Sequence, residues 1–163
     1  KPEILPIYGH QENEYEFSKL SLENVSEGIA YDVENGTSVG PFDIQFLKTV
    51  HPVICYAMRI VERATGQVLV YTGDTGYFAG LVDFSKDADI LLADVYFFKD
   101  KAKMPNHLSS VEAGEIAAQA NVKKLILTHL PQVGDLQVLR EEAQEVAGNI
   151  PVDLAQPHMK WTV

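Results

Sequence analysis

The sequence has one cysteine, Cys55, among its 163 residues, and no apolar run long enough to cross a bilayer. A single cysteine cannot form an intrachain disulfide, which excludes the disulfide-stapled class of small secreted proteins and favours a cytoplasmic location. A membrane-spanning helix needs about 20 consecutive apolar residues, so we expect no membrane association. The charged segment that follows Lys1 also lacks the pattern of a signal peptide.

Positive charge is scarce as well. Lysine and arginine number 13 against 23 aspartates and glutamates, which gives a formal net charge of -10. Such a charge opposes the counterion release that drives proteins onto polyanions, so we expect no non-specific binding of nucleic acid. Divalent cations held in a pocket would make that pocket locally positive, and a small anionic or ester substrate therefore stays compatible with the composition.

Hydrophobic residues make up 46% of the chain, enough to bury one core, and we expect one domain over residues 1–163. The patterns predict a short strand at 3–8, and a weak helix or an irregular segment within 17–25. Alternating apolar and polar residues then predict a meander of three antiparallel strands over 43–72.

The second half alternates buried strands with helices. Apolar runs predict strands at 88–97, 123–128 and 152–155. A capping box at Ser109 and Glu112 predicts the start of one helix. A second helix is expected over 136–147, with Gly148 as its stop. The fold class is therefore α/β (α+β), a mixed sheet with helices covering one face.

Metal-binding side chains follow the ends of three predicted strands: His51, Asp74 and His129. Strand ends let side chains from distant segments converge, which is typical of a zinc-dependent hydrolytic site. Each residue also has an ordinary structural interpretation. Asp74 would suit a turn that accepts backbone hydrogen bonds, and a single histidine at a strand end is more often a core or turn residue than a ligand.

Two further side chains could take part in such a site. His107 precedes the capped helix, where it is either an exposed loop residue or a donor to an oxyanion or leaving group. Asp94 lies within an apolar strand and, if buried, needs a partner, so it could orient a histidine. His10 and His158 have no supporting context, and we expect them at the surface.

Six segments in this order resemble the C-terminal half of the metallo-β-lactamase fold hydrolases, in the branch that includes ribonuclease Z and its shorter relatives. The segments are LPIYG (5–9), VHPVICYAMRI (50–60), YTGDTG (71–76), DADILLADVYF (87–97), HLSSVEAGEIA (107–117) and KKLILTHL (123–130). The resemblance implies an αββα sandwich of which this chain is one part. It also implies that His51, Asp74 and His129 bind metal, with Asp74 bridging two divalent ions, zinc or manganese. His107 is then catalytic, stabilising the transition state or protonating the leaving group.

The chain departs from that family pattern in two ways. The family's HxHxDH motif is absent, so we expect that the chain was shortened or is part of a longer protein and has little activity alone. Only VERATG (61–66) stands where ribonuclease Z carries a long tRNA-binding arm. The resemblance therefore favours small phosphodiesters or lactone-type esters over tRNA 3′ processing.

Two other functions are compatible with the same residues. One is a non-catalytic α/β binding or regulatory module in which Asp74 and Asp94 form an acidic pocket. The other is a non-catalytic homodimer, or another association, through the sheet face that a missing second sheet would cover. Metal content discriminates the hydrolase from both.

Overall fold

The computed structural model describes residues 3–101 and 104–161, which form ten strands, four α-helices and a short 3-10 helix at Lys99–Lys101. The strands are β1 (Leu5–Gly9), β2 (Ser26–Ala30), β3 (Thr37–Val39), β4 (Phe42–Lys48), β5 (Tyr56–Glu62), β6 (Val68–Tyr71), β7 (Ile90–Phe97), β8 (Leu108–Ser109), β9 (Leu125–Thr128) and β10 (Val152–Leu154). The helices are α1 (Glu14–Ser18), α2 (Gly80–Ser85), α3 (Ser110–Ala120) and α4 (Leu136–Ala147).

Seven strands lie in the order β10, β9, β7, β6, β5, β4, β3, and β8 pairs with β7 at its end. The strands from β6 to β10 pair in parallel, whereas β3 to β6 pair antiparallel. The predicted mixed sheet, its antiparallel meander of β4, β5 and β6, and its buried later strands are therefore confirmed. Strands β1 and β2 form a separate parallel pair.

The first forty residues differ most from the prediction. Helix α1 covers five residues from Glu14 and begins at the N-cap Asn13, so most of 17–25 is not helical. Strands β2 and β3 were not predicted, nor, later in the chain, were helix α2 and strand β8. Each is short, and β2 exists because it pairs with β1 rather than because its own residues alternate.

Both predicted long helices are confirmed at their ends. The Ser109 side chain accepts from the backbone of Glu112, whose carboxylate accepts in return from the Ser109 backbone, and this is a complete capping box. Gly148, with a φ of +64°, ends α4.

Helices α2, α3 and α4 cover one face of the sheet and bury the core. Alternate residues of β7 point into this core: Leu91, Ala93 and Val95 are fully buried in the cluster that the helices complete. Helices α3 and α4 approach closely at Gly114, where an added Cβ would lie 2.5 Å from the carbonyl oxygen of Ala143. Only glycine leaves room for this contact.

The other face of the sheet carries a row of half-buried aliphatic side chains that are paired across four strands. Ile44 pairs with Ile60, Ile60 with Leu69, and Leu69 with Ile90. Because side chains alternate along β7, Asp94 lies on this same face, nearer the carboxyl end of the strand. This second face therefore leads from an apolar row to a buried carboxylate.

Candidate metal centre

The predicted site residues lie at one edge of the sheet. Asp74 follows β6 and His129 follows β9, and the carboxyl ends of these parallel strands meet at the same edge. Strand β4 runs in the same direction as β6, since both are antiparallel to β5, so its carboxyl end brings His51 to this edge too. His107 reaches it from the segment before α3.

Asp94 is the centre of the arrangement. Its carboxylate is inaccessible to solvent, and three donors satisfy it. Oδ1 lies 2.8 Å from Nδ1 of His129, and Oδ2 lies 2.8 Å from Nδ1 of His107 and 2.9 Å from the backbone nitrogen of Thr75. The backbone nitrogen of Asp94 in turn donates to the Thr72 hydroxyl. The prediction that Asp94 accepts from a histidine is confirmed, and it does so for two.

These hydrogen bonds fix the protonation pattern of both rings. A carboxylate accepts only, so His107 and His129 each carry a proton on Nδ1, which is an assignment from the hydrogen-bond network. A neutral ring then presents the lone pair of Nε2 away from Asp94. Metal-binding histidines are commonly held in this orientation by a carboxylate that does not itself bind the metal.

Asp74 approaches His129 directly. Its Oδ1 atom lies 3.6 Å from Nδ1 of His129, and both side chains are about two-fifths exposed. His129 has a φ of +53°, in the left-handed region that a histidine seldom adopts. The turn after β9 is thus held in an uncommon conformation that places the imidazole between Asp74 and Asp94.

His51 joins the group through His107. The centroids of their rings lie 5.4 Å apart, and those of His107 and His129 lie 4.8 Å apart. Nδ1 of His51 is 3.1 Å from the carbonyl oxygen of Val53 and 3.3 Å from its backbone nitrogen. We assign the proton to Nδ1, from which it donates to the closer carbonyl, and this tautomer leaves the lone pair of Nε2 free. The backbone nitrogen of Gly76 donates to Val50, tying the His51 segment to the Asp74 turn.

The segment before α3 packs tightly against that turn. A Cβ added to Gly76 would lie 2.7 Å from the carbonyl oxygen of Pro105, so the glycine lets the two backbones touch. This contact helps bring His107 over Asp94. The electrostatics of the edge also reach Tyr71, whose pKa is raised by its burial and, next in importance, by the nearby charge of Asp74.

Within the described ranges, one group of ionisable side chains has ligand atoms that all lie within 4.8 Å of one another: Asp94, His107 and His129. It shares only His129 with the predicted ligand set of His51, Asp74 and His129. The compact group is held together by the hydrogen bonds of Asp94. An Nδ1–H that donates to Asp94 leaves no lone pair on that nitrogen for a metal, so either histidine would bind a cation through Nε2.

Tyr96 borders the site, and the sequence analysis did not identify it. Its ring centroid lies 5.5 Å from that of His107 and 5.6 Å from that of His129, and 39% of the residue is exposed. Its position two residues after Asp94 in a strand places it on the same face, which was a usable signal.

The two remaining histidines have different environments. His158 is exposed, as predicted. The surface prediction for His10 is wrong, because its half-buried ring packs against Tyr31 and Tyr56 at centroid distances of 6.4 and 5.6 Å.

The model of the Beta-lactamase superfamily domain matches residues 10–130 of the chain. The chain is 43% identical over 158 residues to "Probable metallo-hydrolase YhfI" from Bacillus subtilis, covering 96% of this chain and 64% of that protein. It is 41% identical over 97 residues to a Ribonuclease Z from Archaeoglobus fulgidus, covering 56% of this chain and 32% of that enzyme.

A solved structure gives the same fold. The crystal structure of the metallo-beta-lactamase fold protein YhfI from Bacillus subtilis superposes with a TM-score of 0.92 at 40% identity, over 98% of this chain and 65% of that chain. The chain thus spans just under two thirds of this relative's length. Among the residues that the structure describes, no helix is long and apolar enough to span a membrane.

Proposed function

We propose, since this chain belongs to the β-lactamase superfamily, that it contributes His51, Asp74 and His129 as metal ligands to a hydrolytic active site. The observation that carries the proposal is the convergence of these residues with His107 at one sheet edge. There, Oδ1 of Asp74 lies 3.6 Å from Nδ1 of His129. Similarity to a metallo-hydrolase over 96% of the chain supports it.

The donor set suits a borderline metal such as zinc, with manganese as the alternative. Imidazole nitrogen and carboxylate oxygen are the usual ligands of catalytic zinc, and imidazole discriminates against magnesium and calcium. Each proposed histidine has its Nδ1 atom engaged, His51 with Val53 and His129 with Asp94, so Nε2 is the nitrogen available to a cation. The carboxylate of Asp74 is accessible enough to bridge two ions.

We further propose a two-metal centre, completed by an HxHxDH segment from outside these 163 residues. When bound, two divalent cations would supply a hydroxide near neutral pH and stabilise the charge that develops on the substrate. The chain's own residues would orient the ligands and exclude competing rotamers. Asp94 does this most directly, because its buried carboxylate holds two rings at once.

His107 is the proposed proton donor to the leaving group. Its Nδ1–H donates to Asp94 at 2.8 Å, so Nε2 is the nitrogen that would pass a proton to the leaving group. Only 13% of its side chain is exposed, which keeps water from competing for the donated proton. Its position between the rings of His51 and His129 places it beside the proposed metals.

A small phosphodiester is the proposed substrate class, with an ester of the lactone type as the second candidate. The similarity to Ribonuclease Z supports cleavage of a phosphodiester. The net charge of -10 and the short connection at 61–66 argue against a large polyanion such as tRNA.

The single free cysteine supports a cytoplasmic location.

Metal content and turnover test this function with a matched pair of variants. His129 and His158 both have positive φ values, +53° and +63°, and asparagine tolerates that conformation, so both are changed to asparagine. In a protein that joins this chain to an HxHxDH segment, His129→Asn should reduce the zinc retained after dialysis by about tenfold or more. Elemental analysis measures this, and His158→Asn should retain the wild-type amount. Equal zinc in both variants would refute the ligand assignment.

Substrate class is tested on a protein that joins this chain to an HxHxDH segment. We expect bis(p-nitrophenyl) phosphate to be hydrolysed faster than p-nitrophenyl acetate, and His107→Ala to abolish most of that rate while zinc content is unchanged. A joined protein that binds no transition metal would favour the non-catalytic module instead.

The row formed by Ile44, Ile60, Leu69 and Ile90 supports a separate proposal about partners. Half-buried aliphatic side chains across four strands form a face that a second apolar surface can cover, either in the same protein or in a second copy. Sedimentation of the 163-residue chain should show association, and Ile60→Lys should reduce it.

A further inference from the structure

The structure assigns Glu142 a positioning role for His107: its buried carboxylate accepts hydrogen bonds from Lys99 and Ser110. Glu142 lies on α4, is 8% exposed, and takes no part in the proposed reaction. Its Oε2 atom accepts from the backbone nitrogen of Lys99 at 3.0 Å and from the hydroxyl of Ser110 at 2.6 Å. These two donors flank His107 on either side in the sequence.

A buried carboxylate stays ionised only where donors compensate for lost water. Here, one donor is a backbone amide and the other is the hydroxyl of the first residue of α3. The start of a helix also carries a partial positive charge, which stabilises a carboxylate beside it. Glu142 therefore has two hydrogen-bond donors, one of them at the start of α3, three residues after His107.

Helices α3 and α4 pack closely enough for Ser110 of α3 to reach Glu142 of α4. Gly114 of α3 touches the backbone of Ala143, the residue next to Glu142. The ring of Phe98 packs on Gly134, where an added Cβ would lie 2.6 Å from it. Ser110 therefore contacts α4, and Phe98 contacts the turn that leads into α4.

The neighbouring serine has a different partner. Ser109 donates to Glu112 within the capping box, whereas Ser110 donates to Glu142. Strand β8 adds a two-residue pairing with β7 beside His107, but this pairing shifts register between Val95 and Phe97. Glu142 thus adds a restraint that keeps the His107 ring against Asp94, so that Nδ1–H of His107 continues to donate to the carboxylate.

The role of His107 in chemistry rests on the proposed function, but the positioning role of Glu142 is tested without metal or turnover. Long-range proton–nitrogen NMR correlation on the metal-free chain reports which ring nitrogen of each histidine carries the proton. In the wild type, His107 and His129 should both show the Nδ1–H tautomer, because both bond to Asp94. In Glu142→Ala, His107 should become a mixture of tautomers while His129 remains unchanged.

His129 serves as the internal control, since it follows β9 and forms no hydrogen bond or ion pair with Glu142 among the described residues. Glu145→Ala, at an exposed position of the same helix, should leave both rings as in the wild type. Ser110→Ala removes one of the two bonds without burying an unpaired charge, and should shift His107 in the same direction. If Glu142→Ala does not fold, the Ser110→Ala result tests the positioning role of Glu142.

An unchanged His107 in a folded Glu142→Ala and in Ser110→Ala would overturn the inference. So would an equal change in His107 and His129, because that would indicate general loosening of the site. Loss of hydrolysis or of zinc in other variants would bear on the proposed function and leave this tautomer result untouched.

Discussion

Nδ1 of His129 lies 2.8 Å from Oδ1 of Asp94, and this hydrogen bond joins the end of β9 to the middle of the site. Because the other carboxylate oxygen serves His107, one buried side chain orients two imidazoles from distant segments. The geometry makes Asp94 the residue on which the arrangement of the proposed metal centre depends.

Replacing Asp94 with asparagine should therefore weaken zinc binding. The amide retains one acceptor oxygen but turns an NH₂ group toward the second imidazole, which then loses its tautomer and orientation. Loss of such a supporting partner typically weakens metal affinity by about 10- to 100-fold. Competition titration with a chromogenic chelator measures this, with Asp100→Asn, an exposed aspartate, as the control. Wild-type affinity in Asp94→Asn would contradict the prediction.

Gly73→Ala should destabilise the protein more than Gly66→Ala. Both glycines have left-handed backbones, with φ values of +61° and +74°. A Cβ at Gly66 meets nothing within 4 Å, whereas one at Gly73 would lie 2.9 Å from Sγ of Cys55 and 3.0 Å from the carbonyl oxygen of Tyr56. Gly66→Ala should cost about 1 kcal/mol of conformational strain, and Gly73→Ala about 1–3 kcal/mol more. Urea denaturation compares the two, and equal costs would show that the site relaxes.

Gly114→Ala should lower the free energy of unfolding although alanine is the better helix former. The new Cβ would meet the carbonyl oxygen of Ala143 at 2.5 Å, which forces α3 and α4 apart. Overpacking of this kind costs about 1–3 kcal/mol, against a gain of about 1 kcal/mol from helix propensity. The reverse change, Ala118→Gly at an exposed position of α3, measures the propensity alone in the same thermal melt. A stabilised Gly114→Ala would contradict the close contact.

Asp89 should contribute a pH-dependent part of the stability. The hydrogen bond from Lys123 at 2.6 Å, above all, lowers its pKa, and the backbone nitrogen of Val68 adds to this against the opposing effect of burial. A lowered folded pKa stabilises the protein above the unfolded value of about 3.9. That contribution is lost as the pH falls through the folded value.

Asp89→Asn should thus reduce stability near neutral pH and flatten its decline below about pH 4. Urea unfolding at a series of pH values measures the difference from the wild type. Parallel curves for the two proteins would show that Asp89 does not cause the acid sensitivity.

Patterns of alternation and capping were enough to predict the later strands, both long helices and the sheet edge that holds Asp74 and His129. Those signals are local, as the capping box of Ser109 and Glu112 shows. The sequence did not predict β2, whose existence depends on pairing with β1. It also did not predict that Asp94 serves two histidines, since this depends on three-dimensional convergence that no spacing along the chain reveals.

The donors to Asp94 come from positions 19, 13 and 35 residues away along the chain. Contacts of that separation form late in folding, because each must first overcome the entropy of closing a loop. The centre should therefore mature only once the parallel strands have assembled, and a partly folded chain would present none of it. In a stopped-flow refolding experiment, zinc capture should lag behind the recovery of secondary structure.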